Sequence, residues 1–147
     1  MRLSITTPRG ALVDTDVEEV TAPGLLGELG VLPGHVPLMS ALKPGVLVYR
    51  TKDHVGVVAV GQGFLQVAPV AATEGRAAAD RVLVLVNHAV PAGSVDRAGA
   101  EKDLADADGE LAKWKRELDG EYQDLLSRRN WAAARIDAAA RAPGAAH

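Results

Sequence analysis

Cysteine is absent from the 147 residues, and aromatic side chains are scarce: one Phe, two Trp and two Tyr. Without thiols there can be no disulfide framework, no Cys-ligated zinc and no cysteine nucleophile, a composition that suits a reducing compartment. So few aromatics offer no base-stacking platform, and a formal net charge of −3 gives no electrostatic footprint for nucleic acid, so no nucleic-acid partner is expected. Nowhere do about 18 apolar residues run uninterrupted, as a spanning helix would need. The longest candidate, Arg81-Val82-Leu83-Val84-Leu85-Val86, has only strand length. The opening residues Met1-Arg2-Leu3-Ser4-Ile5-Thr6-Thr7-Pro8 lack the charged start and the apolar run of roughly 7–15 residues that a signal peptide carries, so export is not expected. Stability must come from aliphatic packing, enough for one domain and an appendage.

Catalytic constellations are missing too. His35, His54, His88 and His147 are scattered, and none has a partner at metal-ligand spacing on a predicted helix. His35, between Gly34 and Val36, is expected to make a structural hydrogen bond rather than to ligate. Gly61-Gln62-Gly63 lacks the third glycine of a dinucleotide fingerprint and reads as a hairpin turn, with room for a bulge. There is no Gly-x-Ser-x-Gly elbow, and on a strand Glu18 and Glu19 point to opposite faces rather than forming a carboxylate dyad. No catalytic residue, metal site or resident cofactor is predicted.

What the chain does contain falls into two halves. Up to about Asn87, short apolar runs alternate with Gly, Pro and Asp, which predicts strands over Arg2–Thr6, Val17–Ala22, Gly27–Val31, Gly45–Thr51, Val55–Val60, Phe64–Ala68 and Arg81–Val86. With no helical crossover between them, these strands favour an antiparallel sandwich or flattened barrel. After Pro91-Ala92-Gly93-Ser94 the composition turns to Ala, Leu, Glu, Lys, Arg and Asp, and Ser94 or Asp96 can cap a helix. Leu104, Leu111 and Leu118, with Ala107 and Trp114 between them, trace one narrow stripe; Tyr122, Leu125, Leu126, Ala133, Ile136 and Ala140 trace another. Asp119-Gly120 is the expected break between two helices whose stripes bury each other. The expected class is therefore α+β, a β-sandwich over residues 1–90 followed by an antiparallel two-helix hairpin over 91–147.

That hairpin should be only marginally stable alone. At about 25 cal/mol per Å², an interface of Ala and single Leu residues offsets little ordering entropy. Its charge is segregated, acidic over residues 96–124 and basic beyond, where Arg128, Arg129, Arg135 and Arg141 face Asp137 alone. Two accounts fit. The helices can neutralise each other, or the basic one can leave for another acidic surface.

The most specific stretch is Gly27-Glu28-Leu29-Gly30-Val31-Leu32-Pro33-Gly34-His35-Val36-Pro37-Leu38, whose glycines and prolines dictate one bent path. Together with Ile5-Thr6-Thr7-Pro8, Ala41-Leu42-Lys43-Pro44-Gly45 and Gly61-Gln62-Gly63-Phe64-Leu65-Gln66-Val67, in that order over about the first seventy residues, it resembles the epsilon subunit of bacterial F-type ATP synthases. The resemblance implies a non-catalytic rotor subunit on the central stalk, gripping the gamma subunit and resting on the c-subunit ring, peripheral to the cytoplasmic side of a bacterial membrane. It implies contacts to the c ring or gamma from Glu28, Gly30 and His35, although a turn-stabilising role competes for Glu28 between its two near glycines. It also implies that the hairpin, when extended, inhibits ATP hydrolysis, its helices reaching the alpha and beta subunits with Arg128, Arg129 and Arg135 as the contacts to beta.

Some members of this family bind ATP in the folded hairpin through an Ile-Asp-x-x-Arg-Ala motif and two arginines four apart. The corresponding segment here is Val95-Asp96-Arg97-Ala98-Gly99-Ala100, so Gly99 stands in place of the motif arginine, and Trp131 stands four residues before Arg135. Asp96 and Arg135 are the positions that match. Losing two guanidiniums removes most of the phosphate-directed charge, so ATP sensing is not the expectation. The Ala-rich connector Ala68–Asp80 is longer than the family's usual turn and reads either as a solvent-exposed extension or as an extra contact to gamma or the c ring.

Overall fold

The structure, a computed structural model, describes residues 1–34, 36–70 and 79–141. Ten strands come first: β1 (Arg2–Thr7), β2 (Gly10–Asp16), β3 (Glu19–Gly24), β4 (Gly27–Val31), β5 (Leu38–Leu42), β6 (Gly45–Arg50), β7 (Val55–Val60), β8 (Gly63–Val70), β9 (Ala79–Val86) and β10 (Ala89–Pro91). A single 3-10 turn, Ala92–Ser94, leads into helices α1 (Arg97–Ala112) and α2 (Gly120–Arg141). The strands run in the order β10-β7-β6-β3-β5-β8-β9-β1-β2, with β4 branching from β3. The sheet folds over where β3 and β5 share one pairing, Gly24 with Leu42. On one side of that bend lie β10, β7, β6, β3 and β4; on the other lie β5, β8, β9, β1 and β2. Val20, Leu47, Val58 and Val60 from the first layer pack against Leu3, Ile5, Leu65, Val67, Val82 and Val84 from the second, and this aliphatic core is what makes the domain a sandwich.

Three strands escaped the sequence pattern. β2 carries Asp14 and Asp16 on an edge, where Arg2 donates to Asp14 at 2.8 Å and reaches Asp16 at 3.4 Å, so its acidic outer positions break the apolar alternation. β5 follows Pro33, Gly34 and Pro37 directly, and β10 is only three residues long. The sandwich is antiparallel as expected except at one pairing, where β1 and β9 run parallel, Leu3 opposite Val82 and Ile5 opposite Val84. Seven strands, rather than a helix, make the crossover between them.

Gly61-Gln62-Gly63 is not a hairpin turn. β7 pairs with β6 and β10, whereas β8 pairs with β5 and β9, so the segment carries the chain from one layer to the other. Its glycines are there for close approach: a Cβ on Gly63 would lie 1.9 Å from the Leu85 carbonyl oxygen. Glu18 and Glu19 also differ from expectation. Glu18 precedes the strand, and both carboxylates turn toward Arg50.

Helix α2 docks on the outside of β6 and β7, and α1 packs against α2. Because those strands alternate, Leu47, Val58 and Val60 point into the sandwich while Val46, Val57 and Ala59 point out, against Ala92 and Ala138. Strands covered on both faces explain the unbroken Val57-Val58-Ala59-Val60. Since α2 lies against both the sheet and α1, it buries Leu125, Ala132, Ala134 and Ala138 rather than one stripe. Asp96 caps α1 as expected, accepting from the Gly99 N–H at 3.0 Å. The helix ends early, at Ala112, leaving Leu118 exposed outside any helix. Asp119-Gly120 therefore opens α2 instead of closing α1, with the Tyr122 N–H donating to Asp119 at 3.2 Å.

Candidate functional site

Two surfaces carry the features that a working site would use. The first is on the sandwich. On β4, Leu29 and Val31 turn inward, so Glu28 and Gly30 share the solvent face. Among the described residues Glu28 has no ion pair or side-chain hydrogen bond, which leaves the turn-stabilising explanation without a contact to support it. Open space surrounds Gly30, where an added Cβ would touch nothing within 4 Å. Gly27, at φ +139°, closes the two-residue loop Leu25-Leu26, whose leucines stand exposed at the hairpin tip beside Glu28. His35 lies outside the described residues, as do residues 71–78 of the long connector.

A second part of this surface could not be read from the sequence. Strand register sets Ala41, Phe64 and Leu85 in one row, and Met39, Gln66 and Leu83 in the next, all on the outer face of β5, β8 and β9. Met39, Phe64 and Leu85 are 65%, 56% and 48% exposed. Arg2, Asp14 and Arg81 lie on the outward positions of the adjoining strands, so an apolar centre carries a charged border. Such a face in water is an adhesive surface for a protein partner.

The other surface is the junction of sandwich and hairpin. Arg128, Arg129 and Arg135 all point to α1: Arg128 to Glu110 at 3.7 Å, Arg129 to Asp108 at 3.1 Å and Arg135 to Asp103 at 2.8 Å. In this docked arrangement the first of the two charge accounts is realised. Arg135 is the most enclosed of the three, its side chain 19% exposed, and its guanidinium lies 5.5 Å from the centre of the Trp131 ring. On the same indole stacks the imidazole of His88, from the turn between β9 and β10, with centroids 5.3 Å apart.

A cleft of about 420 Å³ opens here, lined by His88, Asp103, Asp106, Ala107, Glu110, Arg128, Trp131 and Arg135. Three carboxylates against two guanidiniums make a poor receptor for a polyphosphate. Asp96 and Arg135, the two positions matching the ATP-binding pattern, are not brought together: Asp96 is absent from this lining and spends its carboxylate on the α1 cap. A Cβ added at Gly99 would lie 2.5 Å from the Asp96 carboxylate, which would have to shift. Trp131 lines the cleft beside Arg135.

A rigid aliphatic sandwich, an exposed adhesive face and an alanine-docked helical hairpin define a protein-binding subunit. Residues 1–92 match the family described as ATP synthase, Delta/Epsilon chain, beta-sandwich domain. The chain is 37% identical over 144 residues to ATP synthase epsilon chain 2 of Syntrophotalea carbinolica, covering 96% of this chain and 94% of that one. It is 38% identical over 141 residues to the ATP synthase epsilon chain of Anaeromyxobacter sp. strain K, covering 96% and 98%. Among solved structures the fold is similar to a chain of the Tetrahymena thermophila mitochondrial ATP synthase central stalk and c ring, with a TM-score of 0.63, 18% identity and coverage of 95% and 96%. A chain of the Euglena gracilis mitochondrial ATP synthase OSCP/F1/c-ring structure is also similar, at a TM-score of 0.61, 21% identity and coverage of 99% and 80%. The chain belongs to the ATP synthase epsilon-chain family, and so is a non-catalytic subunit of that complex, whose catalytic sites lie in other subunits.

Proposed function

We propose that this subunit sits in the central stalk of a proton-translocating F-type ATP synthase, joining gamma to the c ring, and that its hairpin regulates ATP hydrolysis. The work of such a part is mechanical. It must stay stiff under torque and adhere to neighbours, which a closed aliphatic core with an exposed apolar face supports. The Met39, Phe64 and Leu85 face suits the larger partner, gamma, while the Leu25-Leu26 tip with Glu28 and Gly30 suits the c ring. The subunit would then be peripheral to the cytoplasmic side of a bacterial membrane; among the described residues no helix is long and apolar enough to cross one.

The regulatory part is carried by one observation, the contrast in packing. Leu, Ile and Val fill the sandwich, whereas α1 buries only Ala100 and Ala107, and α2 buries one Leu and three Ala. Solvated ion pairs add on the order of 0–1 kcal/mol each. A hairpin held this way can exist in two states a few kcal/mol apart, docked on the sandwich or extended toward alpha and beta with Arg128, Arg129 and Arg135 released. A purely structural hairpin is the second reading, favoured by the pairing of all three arginines with α1. ATP is not needed for either. Deleting residues 95–147 should raise ATP hydrolysis by the assembled enzyme; unchanged hydrolysis removes the inhibitory role and leaves the structural one.

A further inference from the structure

Sandwich and hairpin meet through two kinds of contact. One is the small aliphatic patch of Val46, Val57, Ala59 and Ala138. The other is directional: His88 stacks on Trp131 with the ring planes 23° from parallel, Arg135 lies over the same indole, and Arg135 Nη2 donates to Asp103 at 2.8 Å. Four side chains thus link the sandwich, α2 and α1 in one series. We infer that this series is a latch that sets the docked fraction of the hairpin, with Trp131 as the residue on which both interfaces depend. The inference rests on the proposal that the hairpin docks reversibly.

Each end of the series is anchored. His88 belongs to a corner pinned from both sides, its carbonyl accepting from the Gly61 N–H at 2.8 Å while the Asn87 N–H donates to the Gln62 carbonyl at 3.0 Å. A larger residue at position 61 would have to push the Asn87 side chain aside, because an added Cβ would lie 1.9 Å from Asn87 Oδ1. The imidazole is therefore presented to the hairpin by stiff backbone. At the other end, Arg135 Nε is buried with no hydrogen-bond partner among the described residues. The guanidinium is held by the indole and by Asp103, not by a full set of acceptors, so removing the ring exposes it to water and loosens its hold on α1 as well. His88→Ala should release α2 from the sandwich alone, and Trp131→Ala should release it from the sandwich and loosen it from α1.

Amide hydrogen exchange on the full chain tests this. Both His88→Ala and Trp131→Ala should speed exchange over residues 120–141 by about two- to tenfold, the range an aromatic pair contributes. Strands β8 and β9 should keep wild-type rates, and Trp131→Phe should retain most of the protection. Wild-type exchange in either alanine variant overturns the latch: in both, because the stack holds nothing, and in His88→Ala alone, because the indole is then only packing. Should Trp131→Ala fail to fold, the exposed His88 variant still decides. Hydrolysis by enzyme assembled with the same variants separates this inference from the one beneath it. Faster α2 exchange with unchanged hydrolysis upholds the latch and removes the regulatory role.

Discussion

Two glycines show how one residue type serves the fold in one place and the surface in another. At Gly63 a Cβ would meet the Leu85 carbonyl oxygen at 1.9 Å, and backbone cannot step aside. Gly63→Ala should therefore cost about 1–3 kcal/mol of stability, measured by denaturant unfolding. At Gly30 the space is open and φ is not positive, so Gly30→Ala should leave the unfolding midpoint unchanged. Any loss of assembly in Gly30→Ala would then report on the interface and not on folding. Glu28 allows the same separation, because among the described residues its side chain makes no ion pair or hydrogen bond. Phe64 is the strongest probe of the apolar face. Phe64→Asp should keep the fold, since the ring is already 56% exposed, and weaken binding to the stalk by about tenfold or more in a pull-down titration, as one aromatic side chain loses its burial. Binding unchanged by Phe64→Asp would move the gamma contact elsewhere.

Among the elements, strands that feed the central core were the most legible. β7 announces itself as Val57-Val58-Ala59-Val60, an unbroken apolar run, because both its faces are covered, one by the core and one by α2. β2 and β5 were silent for opposite reasons: the first is an edge with acidic outward residues, and the second is hidden behind the Pro37 that precedes it. The helical stripe through Leu118 was misleading, since sevenfold spacing continued past Ala112 while the helix did not. Of the candidate site, the exposure of Glu28 and Gly30 could be anticipated from the glycine-bounded turn. The Met39, Phe64 and Leu85 face could not, because three residues far apart in sequence meet only through strand register. The same layering predicts unequal costs. Leu47→Ala, fully buried between the layers, should destabilise the sandwich by about 2–5 kcal/mol in denaturant unfolding. Ala138→Gly, at the docking patch, should leave the sandwich transition in place and raise exchange only in α2, where glycine costs about 1 kcal/mol of helix.

Over the whole molecule, the strong and the weak packing lie in different parts. The sandwich has the large aliphatic core and the surfaces suited to gamma and the c ring, while the hairpin has little burial and nearly all the charge segregation. Under the proposed function, that division would let a rotor subunit carry torque while a weakly held arm responds to conditions. It also makes the central claim accessible to one measurement, helped by the absence of native cysteine. Ala59 and Ala138 share the docking patch on β7 and α2, so cysteines at those two positions are the pair to test for a bond that ties the hairpin down when oxidised and frees it when reduced. ATP hydrolysis by the assembled enzyme should be uninhibited with the cross-link formed and should fall when reductant releases the arm. Equal hydrolysis in the two redox states, with the cross-link verified by mass, would contradict regulation by hairpin undocking.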